Sequence, residues 1–443
     1  MFSPNKQCIA LISVHGDPAI DIGREEAGGQ NVYVRQVGEA LSRLGWRVDM
    51  FTRRVSPDQP AMVEHTPNCR TIRLTAGSAE FVPRDELFEY LPAFVQEFLK
   101  FQQQTKTSYP IVHTNYWLSS WVGMELKKFQ AIQQVHTYHS VGAVKYQAVD
   151  QIPPIASTRL ATEKACLETV ERVVSTSPQE QEHLRSLVSS KGNIEIIPCG
   201  TDICKFGSVS RAEARQQLGI APDTKVIFYV GRFDRRKGIE TLVRAVGRSR
   251  LRGKEQLKLI IGGGSRPGHS DGIERDRIEG IVAELGMTEF THFPGRVGEV
   301  ELPIYYAASD VCVTPSHYEP FGLVAIEAMA CGIPVVASDV GGFQFTVIPE
   351  ETGLLVPVKN DAAFAAAIDR VLTEPGLGDR LGRAARTRVE QYFSWDGVAS
   401  QLSGLYNRLL TNQMAGEKIS LSPNSVVNQL SKELDRATVS GSK

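Results

Sequence analysis

Neither sign of charge dominates this sequence: 49 lysines and arginines stand against 50 aspartates and glutamates, interspersed along the chain, for a formal net charge of −1. The basic stripe that nucleic acid or anionic lipid would select is missing, so the expected partner is a small molecule, with no nucleic acid and no membrane. Long apolar runs are missing as well; none approaches the roughly 18 residues of a membrane span. No basic segment followed by an apolar stretch precedes the strand-like run Ile9–Val14, and a soluble, cytoplasmic protein is expected. Paired cysteines are also lacking. The seven (Cys8, Cys69, Cys166, Cys199, Cys204, Cys312 and Cys331) are odd in number and scattered, without zinc-type spacing, which suits reduced thiols and no bound metal.

What the chain does have is length and alternation. At 443 residues it exceeds one ordinary core, and two domains of about 200 residues each are the natural expectation. In the first half Cys8–Val14, Arg47–Thr52, Ile111–His113, Ala131–Thr137 and Arg172–Thr176 read as strands, with helices such as Val32–Leu44 and Arg84–Phe101 between them. The second half repeats the pattern with Val226–Val230, Leu257–Ile261, Thr291–Phe293, Val311–Thr314 and Val335–Ser338. Such alternation predicts an α/β protein with two parallel sheets, each covered by helices on both faces, and two units in tandem make a cleft. The Pro and Gly within Ile196–Phe206 place the boundary there, giving units of residues 1–206 and 207–392. Residues 415–443, rich in Ser, Asn and charge, read as a mostly disordered tail with at best a short helix over Val426–Ala437.

Two segments carry chemistry. Glu319-Pro-Phe321-Gly322-Leu323-Val324-Ala-Ile-Glu327 places a carboxylate, a Gly turn and a helix start in succession, with a second carboxylate eight positions after the first. Unpaired N–H groups and the positive dipole end at Leu323 and Val324 suit a phosphate, and Glu327, a turn into the helix, suits a ribose. Glu319 is placed for a second sugar. The other segment, Gly231-Arg232-Phe-Asp-Arg-Arg-Lys237-Gly238, follows a strand, so Arg232 and Lys237 project where open α/β sheets bind ligands. Arg296 and Val297, on a later strand-to-loop turn, are expected beside the base. The combination reads as a sugar-nucleotide site.

These two segments in this order resemble the retaining glycosyltransferases of the GT-B fold, and the resemblance covers roughly residues 7–410. It implies two Rossmann-like domains facing across a cleft and sugar transfer from a nucleotide diphosphate sugar with the anomeric configuration kept. Arg232 and Lys237 match the family's diphosphate-binding pair, Glu327 its ribose ligand and Glu319 its donor-sugar contact. It also implies a C-terminal helix, about residues 393–413, that crosses back to the first domain after Tyr392-Phe-Ser-Trp395.

Near the N-terminus, His15-Gly-Asp-Pro and Gly23-Arg-Glu-Glu-Ala-Gly28-Gly29-Gln30 lead into a helix. Adjacent glycines admit close approach of a ligand, and this is not the G-x-G-x-x-G dinucleotide fingerprint. The run is similar to that of sucrose-phosphate synthases and sucrose synthases. By that likeness His139, in Thr137-Tyr-His-Ser140, faces the donor sugar, although Tyr138 replaces the usual small residue; Gly28, Gly29 and Gln30 lie at the donor, the last two also at the acceptor. Arg84, Lys145 and Arg159 match cations of phosphate-accepting relatives. The implied substrates are UDP-glucose, with ADP-glucose open, and fructose 6-phosphate, with no cofactor needed for the chemistry. A separate sucrose-phosphate phosphatase is then expected, because the chain ends too soon for a fused one. The rivals are sucrose synthase chemistry on free fructose, an inositol-phosphate N-acetylglucosaminyltransferase, and a non-catalytic sugar-nucleotide sensor.

Overall fold

The computed structural model describes residues 7–20, 28–147, 151–253 and 256–420. Residues 23–27 of the first glycine-rich turn and the tail from 421 onward, including the short helix expected over Val426–Ala437, lie outside the described residues.

Two sheets organise the rest. The first contains β1 (Cys8–Ile12), β2 (Arg47–Arg53), β3 (Met62–Thr66), β4 (Cys69–Leu74), β5 (Ile111–Asn115), β6 (Gln133–Thr137), β7 (Arg172–Ser175) and β8 (Ile194–Ile196), in the spatial order β3-β4-β2-β1-β5-β6-β7-β8. All pairs are parallel except β3 with β4. The second contains β9 (Lys225–Val230), β10 (Leu257–Gly262), β11 (Thr291–Gly295), β12 (Val311–Thr314), β13 (Val335–Ser338) and β14 (Gly353–Val356), all parallel, in the order β11-β10-β9-β12-β13-β14. Strand order reverses at β1 in one sheet and at β9 in the other. Those switch points open crevices beyond the carboxyl ends of the strands, where no crossover covers the sheet.

The central strands are legible because they are buried on both faces and therefore mostly apolar: β12 and β13 match the expected spans, and each closes on one buried hydroxyl residue, Thr314 and Ser338. The edges differ. β3, mostly polar and part-exposed, escapes sequence reading, as do β4 and β14, whereas β8 is the strand that gives way to Pro198 at the expected boundary. The helix expected over Arg84–Phe101 is two elements, a 3-10 turn over Arg84–Tyr90 and an α-helix over Leu91–Thr105. Pro92 is the reason: lacking an N–H, it suits the first turn of a helix and not its interior.

Four helices shape the cleft and its support: α1 (Gly29–Arg43), α2 (Ala156–Thr169), α3 (Leu323–Ala330) and α4 (Trp395–Ser420). α4 runs beyond 413 and packs along α1 and the first sheet. The Trp46 indole donates to Ser403 Oγ at 2.9 Å, His113 Nδ1 meets the Tyr406 hydroxyl at 2.6 Å, and Arg408 pairs with Glu195 at 2.7 Å. The two chain crossings between sheets lie side by side, with Thr201 N–H donating to Phe393 O at 2.7 Å. One apolar cluster, from Val34 and Leu41 through Trp395 and Phe393 to Phe321 and Phe343, continues from one sheet's layer to the other's. Among the described residues, no helix is long and apolar enough to cross a membrane.

Candidate active site

The carboxyl ends of both sheets face a cleft of about 390 Å³. Its second-sheet wall is built from three strand exits. After β9 the chain turns through Gly231 and the 3-10 turn Arg235–Lys237; after β10 come Gly263 and Gly264; after β12 comes the loop carrying Tyr318 to Phe321. Gly238 has φ +66°, and a Cβ there would stand 2.0 Å from Pro315 O. That close approach lets His317 N–H donate to Arg236 O at 2.7 Å and brings Lys237 Nζ to 2.6 Å from Glu319 Oε2. Asp234 caps the short turn and pairs with Arg236, which lies within it, and that cation holds the carboxyl at about 2 against the opposing effect of burial. Arg232 stands exposed at the cleft and donates no side-chain hydrogen bond among the described residues.

Gly322, at φ +95°, starts α3. Ala325 and Ile326 N–H turn back to Gly322 O, so the N–H groups of Leu323 and Val324 point out of the helix start, as the first donors of any helix must. One turn on, Glu327 Oε2 accepts from the Tyr306 hydroxyl at 2.9 Å. Burial raises this carboxyl to about 7, more than the Tyr306 bond and the Lys205 charge lower it. Gly341 and Gly342, not singled out from the sequence, brace the loop from behind: Gly342 N–H donates to Glu319 O at 2.9 Å, and a Cβ on Gly342 would stand 2.2 Å from Phe321 Cα. Arg296 and Val297 line the same wall, beside the glycines that follow β10.

The first-sheet wall holds Gly28, Gly29, Gln30, His15, Arg84, Tyr116, His139, Ser140 and Lys145. Asn31 Oδ1 accepts from Gly28 N–H at 3.0 Å and fixes the start of α1, while Gln30 Nε2 donates to Ser13 Oγ at 2.9 Å. The walls nearly touch here, for a Cβ on Gly29 would lie 3.1 Å from Leu323 Cδ1.

His139 and not His136 reaches the cleft. His136 is buried in the strand layer with Nδ1 against Thr114 Oγ1 at 3.0 Å. Tyr138 points inward too and donates to Glu163 O at 2.5 Å, so its bulk never enters the cleft. His139 has φ +59° and Tyr116 φ +72°, backbone conformations that cost a side-chain-bearing residue about 1–3 kcal/mol and are often retained at functional sites. His139 Nε2–H donates to Asn115 Oδ1 at 2.9 Å, because the Asn115 amide nitrogen is turned to the His113 and Ile12 carbonyls. Burial brings the ring down to about 3, so it is neutral at physiological pH and offers Nδ1 as an acceptor.

Of the three cations read toward the acceptor, the structure brings two to the cleft. Arg84 lies 5.9 Å over the Tyr116 ring with Nε buried and without a hydrogen-bond partner, and Lys145 lies nearby on the wall. Arg159 is a correction. It is buried behind that wall, with Nε on Glu163 at 2.7 Å, one terminal nitrogen on the Tyr116 hydroxyl at 3.0 Å and the other on Ser140 O at 2.7 Å. Its position on α2, four residues before Glu163, favours an internal pair over a surface charge. The residues missed, Tyr116 and Asn115, sit at the exit of β5, where Thr114-Asn-Tyr-Trp117 carried the warning of polar groups directly after a strand.

Two facing α/β units, with cations and a helix start on one wall and a neutral His with further cations on the other, make up the cleft of a glycosyltransferase of the GT-B fold. Comparison agrees: models described as "Glycosyl transferase 4-like domain" and "Glycosyl transferases group 1" match residues 28–200 and 210–388. With both halves matched and that likeness extending to curated relatives over nearly their whole length, the chain belongs to the glycosyltransferases built from these two domains. The solved sucrose-phosphate synthase of Thermosynechococcus elongatus is 53% identical, with 92% of this chain and 100% of that chain covered and a TM-score of 0.85. A D-inositol 3-phosphate glycosyltransferase of Corynebacterium jeikeium is 35% identical over 93% of this chain and 99% of its own. The Anabaena Alr3699/HepE structure, at 18% identity, 91% and 100% coverage and TM-score 0.72, shares the fold.

Proposed function

We propose that the enzyme transfers glucose from UDP-glucose to the anomeric hydroxyl of fructose 6-phosphate, yielding sucrose 6-phosphate and UDP. The observation that carries this reading is the division of cations between the walls: Arg232 and Lys237 on one, Arg84 and Lys145 on the other. One pair suits the donor's diphosphate and the other an acceptor's phosphomonoester. The likeness to the T. elongatus synthase, at 53% identity, supports fructose 6-phosphate. The curated relatives at 35% support a second reading with D-inositol 3-phosphate as acceptor, which the same cations would suit.

In the proposed reaction the C1–O bond to the diphosphate breaks and its electron pair goes to the phosphate oxygen. Arg232, Lys237 and the Leu323 and Val324 N–H groups take up that charge, which is larger in the transition state than in the ground state. The acceptor oxygen attacks from the same face, and its proton passes to the departing phosphate. His139 Nδ1 accepts from a donor-sugar hydroxyl, and a neutral ring adds no positive charge beside the developing cationic centre. A separate phosphatase would complete sucrose formation.

The deciding measurement is nucleotide release from UDP-glucose with fructose 6-phosphate, free fructose or D-inositol 3-phosphate. Release with fructose 6-phosphate alone is expected; a preference for either other acceptor sinks the assignment, and binding without release under all three means a sensor.

The acceptor reading also predicts a pH profile. Burial, then Arg84, Arg159 and Arg236, lowers the Lys145 ammonium to about 7. Its charge is complete below that value and lost as pH rises through it. A hydrogen bond to a charged group is worth about 1.5–3 kcal/mol, so kcat/KM for fructose 6-phosphate should fall ~10-fold or more between pH 7 and 9. Lys145→Met should remove this alkaline limb; a limb that survives the substitution assigns it elsewhere.

A further inference from the structure

Tyr306 is a fully buried residue on the short helix Leu302–Ala308, packed edge-on against Phe228 and Phe206 at centroid distances of 5.3 and 5.8 Å. Phenylalanine would fill that space equally well. The hydroxyl instead reaches out of the apolar layer to Glu327 Oε2 at 2.9 Å, with Val324 O farther off at 3.3 Å. A phenol has one proton to give, and the charged carboxylate is the stronger acceptor. With Oε2 so held, Glu327 Oε1 accepts no hydrogen bond among the described residues, and Glu327 borders the cleft one turn below the Leu323 and Val324 N–H groups.

We infer that Tyr306 is a positioning residue for nucleotide recognition: its hydroxyl fixes the Glu327 carboxylate so that the remaining oxygen meets the ribose hydroxyls of the donor. This rests on the reading of Glu327 as the ribose ligand. The bond also favours the anion, which is acceptor-only and therefore matched to two donating hydroxyls. The titratable or charged groups around the Glu327 carboxyl are Lys205, which favours its ionised form, Glu299, which opposes it, and the thiols of Cys312 on β12 and Cys331 at the end of α3. Among the described residues no cation contacts it directly, so the Tyr306 hydroxyl is the nearest support for the charge.

The test is calorimetric affinity for UDP and for 2′,3′-dideoxy-UDP, in wild type, Tyr306→Phe and Glu327→Gln, between pH 6 and 8. The dideoxy nucleotide carries the same phosphates and cancels their titration. Wild-type preference for UDP should weaken as pH falls through about 7. Tyr306→Phe should weaken UDP ~10-fold, leave the dideoxy nucleotide unchanged and move the midpoint of the preference to higher pH. Equal weakening of both nucleotides, or no change in either, overturns the inference while a selective Glu327→Gln effect leaves the ribose reading standing. If Glu327→Gln does not distinguish the two nucleotides, the ribose reading fails and this inference fails with it.

Discussion

Lys237→Ala is expected to lower kcat by about 10³-fold while leaving the fold intact, the scale set by removing a preorganised donor aimed at developing negative charge. The argument is geometric. Nothing covalent is asked of Lys237; its ammonium is held 2.6 Å from Glu319 at the exit of β9, the switch strand of the second sheet, where the leaving diphosphate is proposed to gather charge. The pair is part-exposed, 27% and 16% by side chain, so its removal costs on the order of 1 kcal/mol of stability. A melting temperature within about 3 °C of wild type would exclude unfolding as the cause. Glu319→Ala should cost activity similarly, because it loses the proposed donor-sugar contact and frees Lys237 from its anchor. A Lys237→Ala enzyme that turns over UDP-glucose at near the wild-type rate would remove the diphosphate assignment.

Gly238→Ala should be nearly as damaging although Gly238 bears no functional group. Its φ of +66° is accessible to alanine only at a cost of about 1–2 kcal/mol, and the new Cβ would stand 2.0 Å from Pro315 O. The backbone must move, and it carries Lys237 on one side and, through the Arg236–His317 bond, the Glu319 loop on the other. A displacement near 1 Å at reacting groups costs on the order of 10²-fold in rate. Gly45→Ala is the matched control: its φ is +94°, but a Cβ there meets nothing within 4 Å. Gly45→Ala should lower the melting temperature without touching kcat/KM, whereas Gly238→Ala should lower both. Equal kinetics in the two variants would show that the loops are not coupled through this glycine.

Much of the fold was legible because buried parallel strands are mostly apolar, as β12 and β13 are up to their last residue, and helices between them follow. Edge strands obey no such rule. Met62–Thr66 alternates with solvent and pairs antiparallel to β4, a partnership that depends on the tertiary neighbour more than on its own residues. At the site, local chemistry marked the Glu319–Glu327 and Gly231–Gly238 segments, since strand exits, glycines and helix starts are written consecutively. Contacts across long separations were not written anywhere. Arg159 reads like Arg84 in the sequence, yet one is enclosed by Glu163, Tyr116 and Ser140 and the other borders the cleft.

Periodicity and the chemistry within about ten residues thus suffice for the α/β class, the two-sheet organisation and the two segments that line one wall of the cleft. Which of these groups meet is a matter of packing. Lys237 and Glu319 are paired by a glycine that lets two loops touch, His139 faces the cleft because Asn115 holds its ring, and Glu327 is held by a buried tyrosine from another helix. Burial is a property of the assembled layers, and it is the main cause that lowers the His139 ring to about 3 and raises the Glu327 carboxyl to about 7, since removing water penalises their charged forms.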